Sequence, residues 1–307
     1  MSHLLVIGTA SIDTKGRATR PIRPGTSTPG AIRVSVGGVA RNIAENLARL
    51  GEHVVLLSAV GDDGSGRRIL QQATDCHIDV SQILVASGHR TAAYIAVLDE
   101  EGKPAVSIDD MSISRKALTP DYIHRRRALF RDALLVIIDA NLSPRTIATI
   151  FRLARRYDIP VCADPTSVTF APRIKPYLAD LTLITPNGAE AEALCGVPVA
   201  DRTSAVTAAQ ALVGLGVQIA IVTLGATGLV YATSKESGHI PALQSEVVDL
   251  TGAGDALTAA VIMALLNDIP IDEAVRLGTS AAALTLQCRE TVCPSLSLER
   301  LYDQMVI

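Results

Sequence analysis

From residue 120 to 224 the chain alternates short apolar runs with longer amphipathic stretches, and no other feature restricts its fold as much. The runs at 134–138, 160–163, 181–184 and 219–224 carry no polar face. Strands of that kind are covered on both sides, as in a parallel sheet with helices above and below. The stretches at 120–132, 144–156, 188–194 and 205–215 have helical spacing and supply the covers. Runs at 4–7 and 54–60 add two strands near the start, and helices are predicted at 40–50, 67–75, 256–266, 272–286 and 298–305. The fold class expected is α/β, with a doubly wound, mostly parallel sheet.

Two segments break the pattern. Residues 14–30 are polar and rich in Gly, Pro and Thr, and are long for a plain connection. Residues 31–36, 91–98 and 104–108 alternate apolar and polar, as strands with one wet face do, with a turn at Asp99-Glu100-Glu101-Gly102. Residues 13–36 and 91–108 are therefore expected to form a small antiparallel sheet, inserted into a core made of 1–12, 37–90 and 109–307. The 307 residues are 48% hydrophobic and 19% charged, enough for a sizeable core. A net charge of −3 argues against nucleic acid or a membrane surface as partner. The apolar run 256–266 is too short to span a bilayer, and the first residues read as a strand rather than a signal peptide. Arg125-Arg126-Arg127 reads as a solvated helix face. Five scattered cysteines suit reduced thiols in a cytoplasm; Cys288 and Cys293 lie close but lack the company of a metal site.

Four groups of residues point to chemistry. Thr251-Gly252-Ala253-Gly254-Asp255 joins a short apolar segment to an apolar helix. One reading is a tight turn, with Asp255 favoured by the helix dipole. The other is a phosphate cradle of free N–H groups with a general base beside it. A dinucleotide fingerprint is discounted, because the third glycine is missing and the turn does not follow the first strand. Asn187 and Glu190 follow the 181–184 strand, either as a helix cap or as groups that organise magnesium-bound water near phosphates. Thr223, Gly225 and Gly228 form either a hairpin turn or a loop against a nucleotide. Asp13, Gly37, Gly38 and Asn42 suit the gripping of vicinal hydroxyls.

Taken together these motifs resemble the ribokinase-like (PfkB) family of sugar and nucleoside kinases along essentially the whole chain. The matches are Gly37-Gly38 with Asn42, Asn187-x-x-Glu190, Thr223-x-Gly225-x-x-Gly228 and Asp249-x-x-Gly252-Ala253-Gly254-Asp255. Within the family, residues 26–30, 37–51 and Asp110-Met111 look most like the pseudouridine kinases. The resemblance implies a small β-sheet lid over the sugar that often mediates homodimers, and transfer of the ATP γ-phosphate to a 5′-hydroxyl, here of pseudouridine. Asp255 would be the base, and the N–H groups of Gly252, Ala253 and Gly254 would stabilise the transferring phosphoryl group. Asp13, Gly37, Gly38, Asn42, Thr91 and Asn141 would hold the substrate, with loops near Asn141 and Thr166 reading the base. Asn187, Thr223, Gly225 and Gly228 would line the ATP site, and Glu190 would serve Mg2+ through water. Asp249 and Thr251 are the positions for a monovalent cation such as K+.

Three positions depart from the family pattern. Leu250 replaces a Thr or Pro. Residues 288–295 lack the Gly of the family's cation loop, which sets K+ activation in question. Phe170 stands where the pseudouridine kinases would have a Lys. The alternatives to pseudouridine are ribose or another nucleoside as substrate, and a catalytically silent sugar sensor on the same fold.

Overall fold

A computed structural model describes residues 2–305; Met1, Val306 and Ile307, the ends of the first and last segments read from the sequence, lie outside the described residues. In chain order the elements are β1 (His3–Ile7), β2 (Ser11–Ala18), β3 (Gly30–Gly37), α1 (Val39–Arg49), β4 (Val54–Leu57), β5 (Ala59–Gly61), α2 (Gly64–Asp75), β6 (Leu84–Ala86), β7 (Ala92–Leu98) and β8 (Pro104–Asp110). There follow α3 (Ser112–Ala117), α4 (Pro120–Arg125), α5 (Arg127–Arg131), β9 (Ala133–Asp139), α6 (Pro144–Tyr157), β10 (Val161–Asp164), β11 (Leu181–Ile184), α7 (Gly188–Cys195) and α8 (Arg202–Gly214). The chain closes with β12 (Ile219–Thr223), β13 (Leu229–Thr233), β14 (Ser237–Ile240), α9 (Ala253–Leu266), α10 (Ile271–Leu286) and α11 (Leu298–Gln304).

The main sheet has the order β14-β13-β12-β11-β10-β9-β1-β4. It is parallel from β12 to β4, with β13 and β14 antiparallel at one edge. Alternate strand residues feed two separate cores. Leu4 and Val6 pack with Ile43, Leu47, Val261 and Leu277 from α1, α9 and α10. Leu5 and Ile7 pack with Ile123, Ile147, Phe151 and Leu212 from α4, α6 and α8. This is the doubly wound arrangement that strands without a polar face require.

The small sheet has the order β3-β2-β7-β8. It was expected to be antiparallel, and in this it differs: β2 and β7 run parallel, each flanked by an antiparallel partner. The reason is connectivity, since the two inner strands are joined through the core. Strand β2 also occupies residues that read as irregular. Its two faces are both partly polar, so period-two alternation does not show. Pairing Thr14 and Gly16 with their neighbours puts Ile32, Val34, Ile95, Val106 and Ile108 on one face. That face is open to solvent, with Ile32 78% and Ile108 69% exposed. Asp13 and Lys15 alternate onto the opposite face, toward the main sheet.

Three other elements differ from expectation. The 54–60 run splits at Ser58, whose hydroxyl donates to the Gly8 carbonyl at 2.7 Å; β5 then leaves the main sheet to pair with β6. The 120–132 helix breaks at Arg126, whose backbone leaves helical geometry (φ −99°, ψ 16°). The Arg126 guanidinium stacks on Tyr122 and bonds the Gln82 side chain, so this part of the arginine run is packed rather than merely solvated. Strand β14 was not anticipated from Ser237-Gly238-His239-Ile240, which has only one large apolar residue.

Helix α9 starts at Ala253, one turn earlier than its apolar run, which places Asp255 inside the first turn. It lies close against α10, where a Cβ on Gly278 would sit 2.7 Å from Val261 Cγ2. Alanine normally stabilises a helix interior over glycine by about 1 kcal/mol. Here the clash should win: Gly278→Ala is expected to lower the free energy of unfolding by about 1–3 kcal/mol, read by urea denaturation. An unchanged or raised midpoint would show that the helices are not in contact there.

Candidate active site

The site is built from the carboxyl ends of the parallel strands, where open α/β sheets bind ligands. Strand β9 ends at Asp139, β10 at Asp164 and β12 at Thr223, while Thr9 lies two residues past β1 and Asn187 three residues past β11. The N-termini of α1 and α9 face these ends.

At the head of α9, Gly252 is the N-cap with φ 87°, and a Cβ there would strike the Thr291 carbonyl. Only glycine satisfies both demands. A Cβ on Gly254 would meet nothing within 4 Å, so that backbone faces open space. The tight turn into α9 is thus present, with the backbone at Gly254 unblocked on one side.

Asp255 is 8% exposed, and its Oδ2 accepts a 2.8 Å hydrogen bond from Asn42 Nδ2. Asn42 is itself fixed by wholly buried Arg41, whose Nη1 donates to Asn42 Oδ1 at 2.9 Å. The Thr291 hydroxyl donates to the Val36 carbonyl at 2.7 Å and also lies 3.2 Å from Asn42 Oδ1. Arg41 is neutralised by Glu45 within α1. The Asn42 amide therefore has one way to face, with its donor toward Asp255. Burial pushes the Asp255 carboxyl up to about 7, aided by the charges of Asp139 and Asp13 and opposed by the Asn42 hydrogen bond and Arg41.

Asp13 lies across the site and accepts from Ser11 Oγ at 2.9 Å. A Cβ on Gly37 would overlap the Asp13 carboxylate, so that glycine makes room for it. Gly38 has φ 97°, and a Cβ would fall 2.5 Å from the Thr9 carbonyl, which explains the paired glycines. Burial raises the Asp13 pKa as well, against the pull of Ser11, Lys15 and Arg41.

Two cavities meet at the α9 N-terminus. One, of about 320 Å3, is lined by Asp13, Gly38, Asn42, Asn141, Thr251 and Asp255, and extends to Tyr94, Met111, Ser167 and Phe170. The other, of about 420 Å3, is lined by Thr223, Gly225, Gly228, Ala253 and Gly254 and by the apolar side chains of Leu229, Val247, Leu257 and Leu286. Gly228 has φ 98°, and a Cβ would collide with the Ile240 carbonyl. Leu224 N–H donates to the Gly228 carbonyl at 2.8 Å, so the 225–228 segment closes as a tight loop at the cavity rim.

Asn187 and Glu190 form a reciprocal capping box, with Glu190 N–H on Asn187 Oδ1 at 3.0 Å and Asn187 N–H on Glu190 Oε2 at 2.9 Å. The capping reading is therefore realised. Burial nonetheless raises the Glu190 pKa. Asp249 accepts from both Lys15 and the Thr251 N–H. Thr91 does not join either cavity. Its hydroxyl donates to Asp63 Oδ1 at 2.6 Å and accepts from Gly61 N–H, so it secures the cap of α2 instead.

Two carboxylates escaped the sequence reading. Asp139 is fully buried, accepting from Thr9 N–H at 2.6 Å, Ala40 N–H at 3.3 Å and Asn141 N–H at 3.0 Å, and so clamps the start of α1 to the sheet. Asp164 is held by Thr166 N–H at 2.7 Å; burial raises its pKa, and the nearby charges of Asp255 and Glu190 raise it further. Each ends an apolar strand with one charged residue, a signal that was present but not used. Lys15, which bonds Asp249 and Thr251, was also missed, being 234 residues from its partner. Among the described residues no three His, Cys, Asp or Glu side chains form a metal cage, and no helix is long and apolar enough to cross a membrane. All five cysteines are free.

Comparison with known proteins identifies the family and the fold. The model of the pfkB family of carbohydrate kinases matches residues 1–297. A pseudouridine kinase of Escherichia coli (strain K12) is 33% identical over 297 residues, covering 96% of this chain and 94% of that protein. A carbohydrate kinase from Agrobacterium tumefaciens superposes with a TM-score of 0.84 at 30% identity, over 99% of this chain and 97% of that one. Arabidopsis thaliana ribokinase complexed with ribose and ATP shares the fold at a TM-score of 0.87 and 22% identity, over the full length of both. The chain belongs to the pfkB family of carbohydrate kinases and is an ATP-dependent kinase of sugars or nucleosides.

Proposed function

We propose that the protein phosphorylates the 5′-hydroxyl of pseudouridine, using ATP and Asp255 as general base. The observation that carries the nucleoside reading is the reach of the smaller cavity. It runs from Asp255, Asp13 and Asn42 past the space a ribose needs to Tyr94, Met111 and Phe170. Phe170 is backed by Arg173, 4.0 Å from its ring centroid, and so offers a stiff face for a base. The Ser167 hydroxyl lies at this end, buried and without a partner, and Asn141 lies beside it. A base with hydrogen-bonding edges would satisfy both. The pseudouridine kinase relative points the same way. The missing Lys at position 170 is then replaced by an aromatic platform, with Arg173 spent on the carbonyls of Ala140 and Leu142.

In this reading Asp13, Gly38 and Asn42 hold the ribose, with Gly37 making room for Asp13. Asp255 takes the proton from the 5′-hydroxyl as the oxygen attacks the γ-phosphorus. The N–H groups of Gly252, Ala253 and Gly254 point at the charge that grows on the phosphoryl oxygens. Thr223, Gly225 and Gly228 carry the nucleotide, with its base against the apolar wall of the larger cavity. Burial raises the pKa values of Asp164 and Glu190, and neither makes a salt bridge among the described residues, which suits Mg2+ held through water. Bound there, Mg2+ would neutralise phosphate charge. The small sheet acts as the lid, and its open face of Ile32, Val34, Ile95, Val106 and Ile108 is the homodimer surface.

A radiolabel-transfer screen with ATP over pseudouridine, uridine, ribose and fructose is expected to label pseudouridine best. Labelling of ribose alone would remove the nucleoside reading, and labelling of none would favour a silent sensor. Because Asp255 must be ionised to act, kcat/KM should rise with pH up to about 7 and then level. Asp255→Asn should cut turnover by about 10²–10⁴-fold with ATP affinity unchanged. The same variant has a stability signature. A carboxyl whose pKa is raised in the fold stabilises below its unfolded value near 4 and loses that contribution as pH rises through about 7. Asp255→Asn should therefore match wild type in Tm near pH 4 and exceed it at pH 8. For the lid face, Ile95→Glu with Ile108→Lys should convert a dimer to a monomer in light scattering; a monomeric wild type would contradict the assignment.

A further inference from the structure

The family resemblance implies a monovalent cation near Asp249 and Thr251. The side chains present do not fit one, because their oxygens are already engaged by an ammonium. Lys15 Nζ lies 2.7 Å from both Asp249 Oδ1 and Asp249 Oδ2, and it also donates to Thr251 Oγ1. The contact is sheltered, with Lys15 14% and Asp249 17% exposed at the side chain. We infer that Lys15 is a tethered cation that replaces a monovalent ion beside the anion turn, so that catalysis needs no potassium and depends on docking of the small sheet.

The physical case rests on charge and on connectivity. Asp249 is three residues before Gly252, and its carboxylate also accepts the Thr251 N–H at 2.9 Å, which fixes the approach to the turn. An uncompensated carboxylate here would repel the phosphates that the turn is built to receive. A mobile ion removes that repulsion in one way, and a lysine removes it in another. The lysine differs because it belongs to another sheet. Lys15 and Asp13 lie two residues apart on β2 and share its core-facing side, so they move together. Asp13 lines the substrate cavity. Lys15 therefore brings its charge to Asp249 along the same strand that carries Asp13 to the substrate cavity. Residues 288–295, which lack the glycine of a cation loop, complete the picture, since Thr291 there packs its carbonyl against Gly252.

This rests on the kinase reading, and the test separates the two. Phosphorylation of pseudouridine is measured in KCl, NaCl and tetramethylammonium chloride at equal ionic strength, for wild type and Lys15→Met. Wild type is expected to keep its rate within about twofold across the three salts. Lys15→Met is expected to fall by about tenfold or more in tetramethylammonium and to recover in part with K+ or methylammonium, mainly in kcat. A wild type that loses about tenfold of its rate without K+ would overturn the inference, and so would a Lys15→Met variant that is fully active in tetramethylammonium or one that no cation rescues. A second readout needs no activity. Crystals soaked in thallium(I) should show no anomalous density at Asp249 and Thr251 in wild type, and density there in Lys15→Met. Thallium between these residues in wild type would refute the tethered cation even if every substrate tried proved wrong.

Discussion

The structure turns on a carboxylate kept out of water at the head of an apolar helix. Asp255 begins a helix whose residues Ala256 to Ala264 are all buried, and it has one side-chain hydrogen-bond partner, Asn42. Burial of an anion is costly, and three factors reduce that cost here: the helix N-terminus, the Asn42 donor and the charge of Arg41. They do not cancel it, so the carboxyl is pushed up to about 7, which suits the proposed role of general base. The arrangement holds only while α1 and α9 keep their places. Arg41 orients Asn42 from within α1, Asp139 ties the start of α1 to β1, and Gly278 lets α10 press α9 onto the sheet.

The two sheets divide the labour along the same physical line. The main sheet is covered on both faces and supplies fixed strand ends beside the glycine turn at the head of α9. The small sheet has one apolar face in solvent and one polar face over the cavity. It joins the core through buried Ile12, Val36 and Ala92 and through the ion pair from Lys15 to Asp249. The polar face and the Lys15 ion pair tie the small sheet to the cavity, whereas the doubly covered main sheet holds Asp255 in place.

Much of this was legible before the structure. Continuous apolar strands after residue 120 define a parallel, doubly wound sheet because nothing else buries both faces. The glycines at 37–38, 225, 228 and 252 were legible because each sits where a Cβ or a negative φ is excluded. What escaped was long-range or masked. Strand β2 was hidden because Asp13, Lys15 and Arg17 put charge on the face that alternation expects to be apolar. The parallel pairing of β2 with β7 depends on how the chain threads the core. Thr91 sits just before β7, and only the folded chain brings its hydroxyl to Asp63. Asp139 and Asp164 stood at the ends of apolar runs, yet a lone acid there is ambiguous until three backbone N–H groups or a neighbouring carboxylate are seen around it. Asn187 and Glu190 kept both of their readings, since a capping box places the glutamate at the sheet edge whatever else it does.

The most direct test of the account is a crystal structure with pseudouridine and a non-hydrolysable ATP analogue bound together. The 5′-oxygen is expected about 3 Å from an Asp255 carboxylate oxygen, with the terminal phosphate facing it over the N–H groups of Gly252 to Gly254. A terminal phosphate elsewhere, or a 5′-hydroxyl turned away from Asp255 in the closed complex, would contradict it.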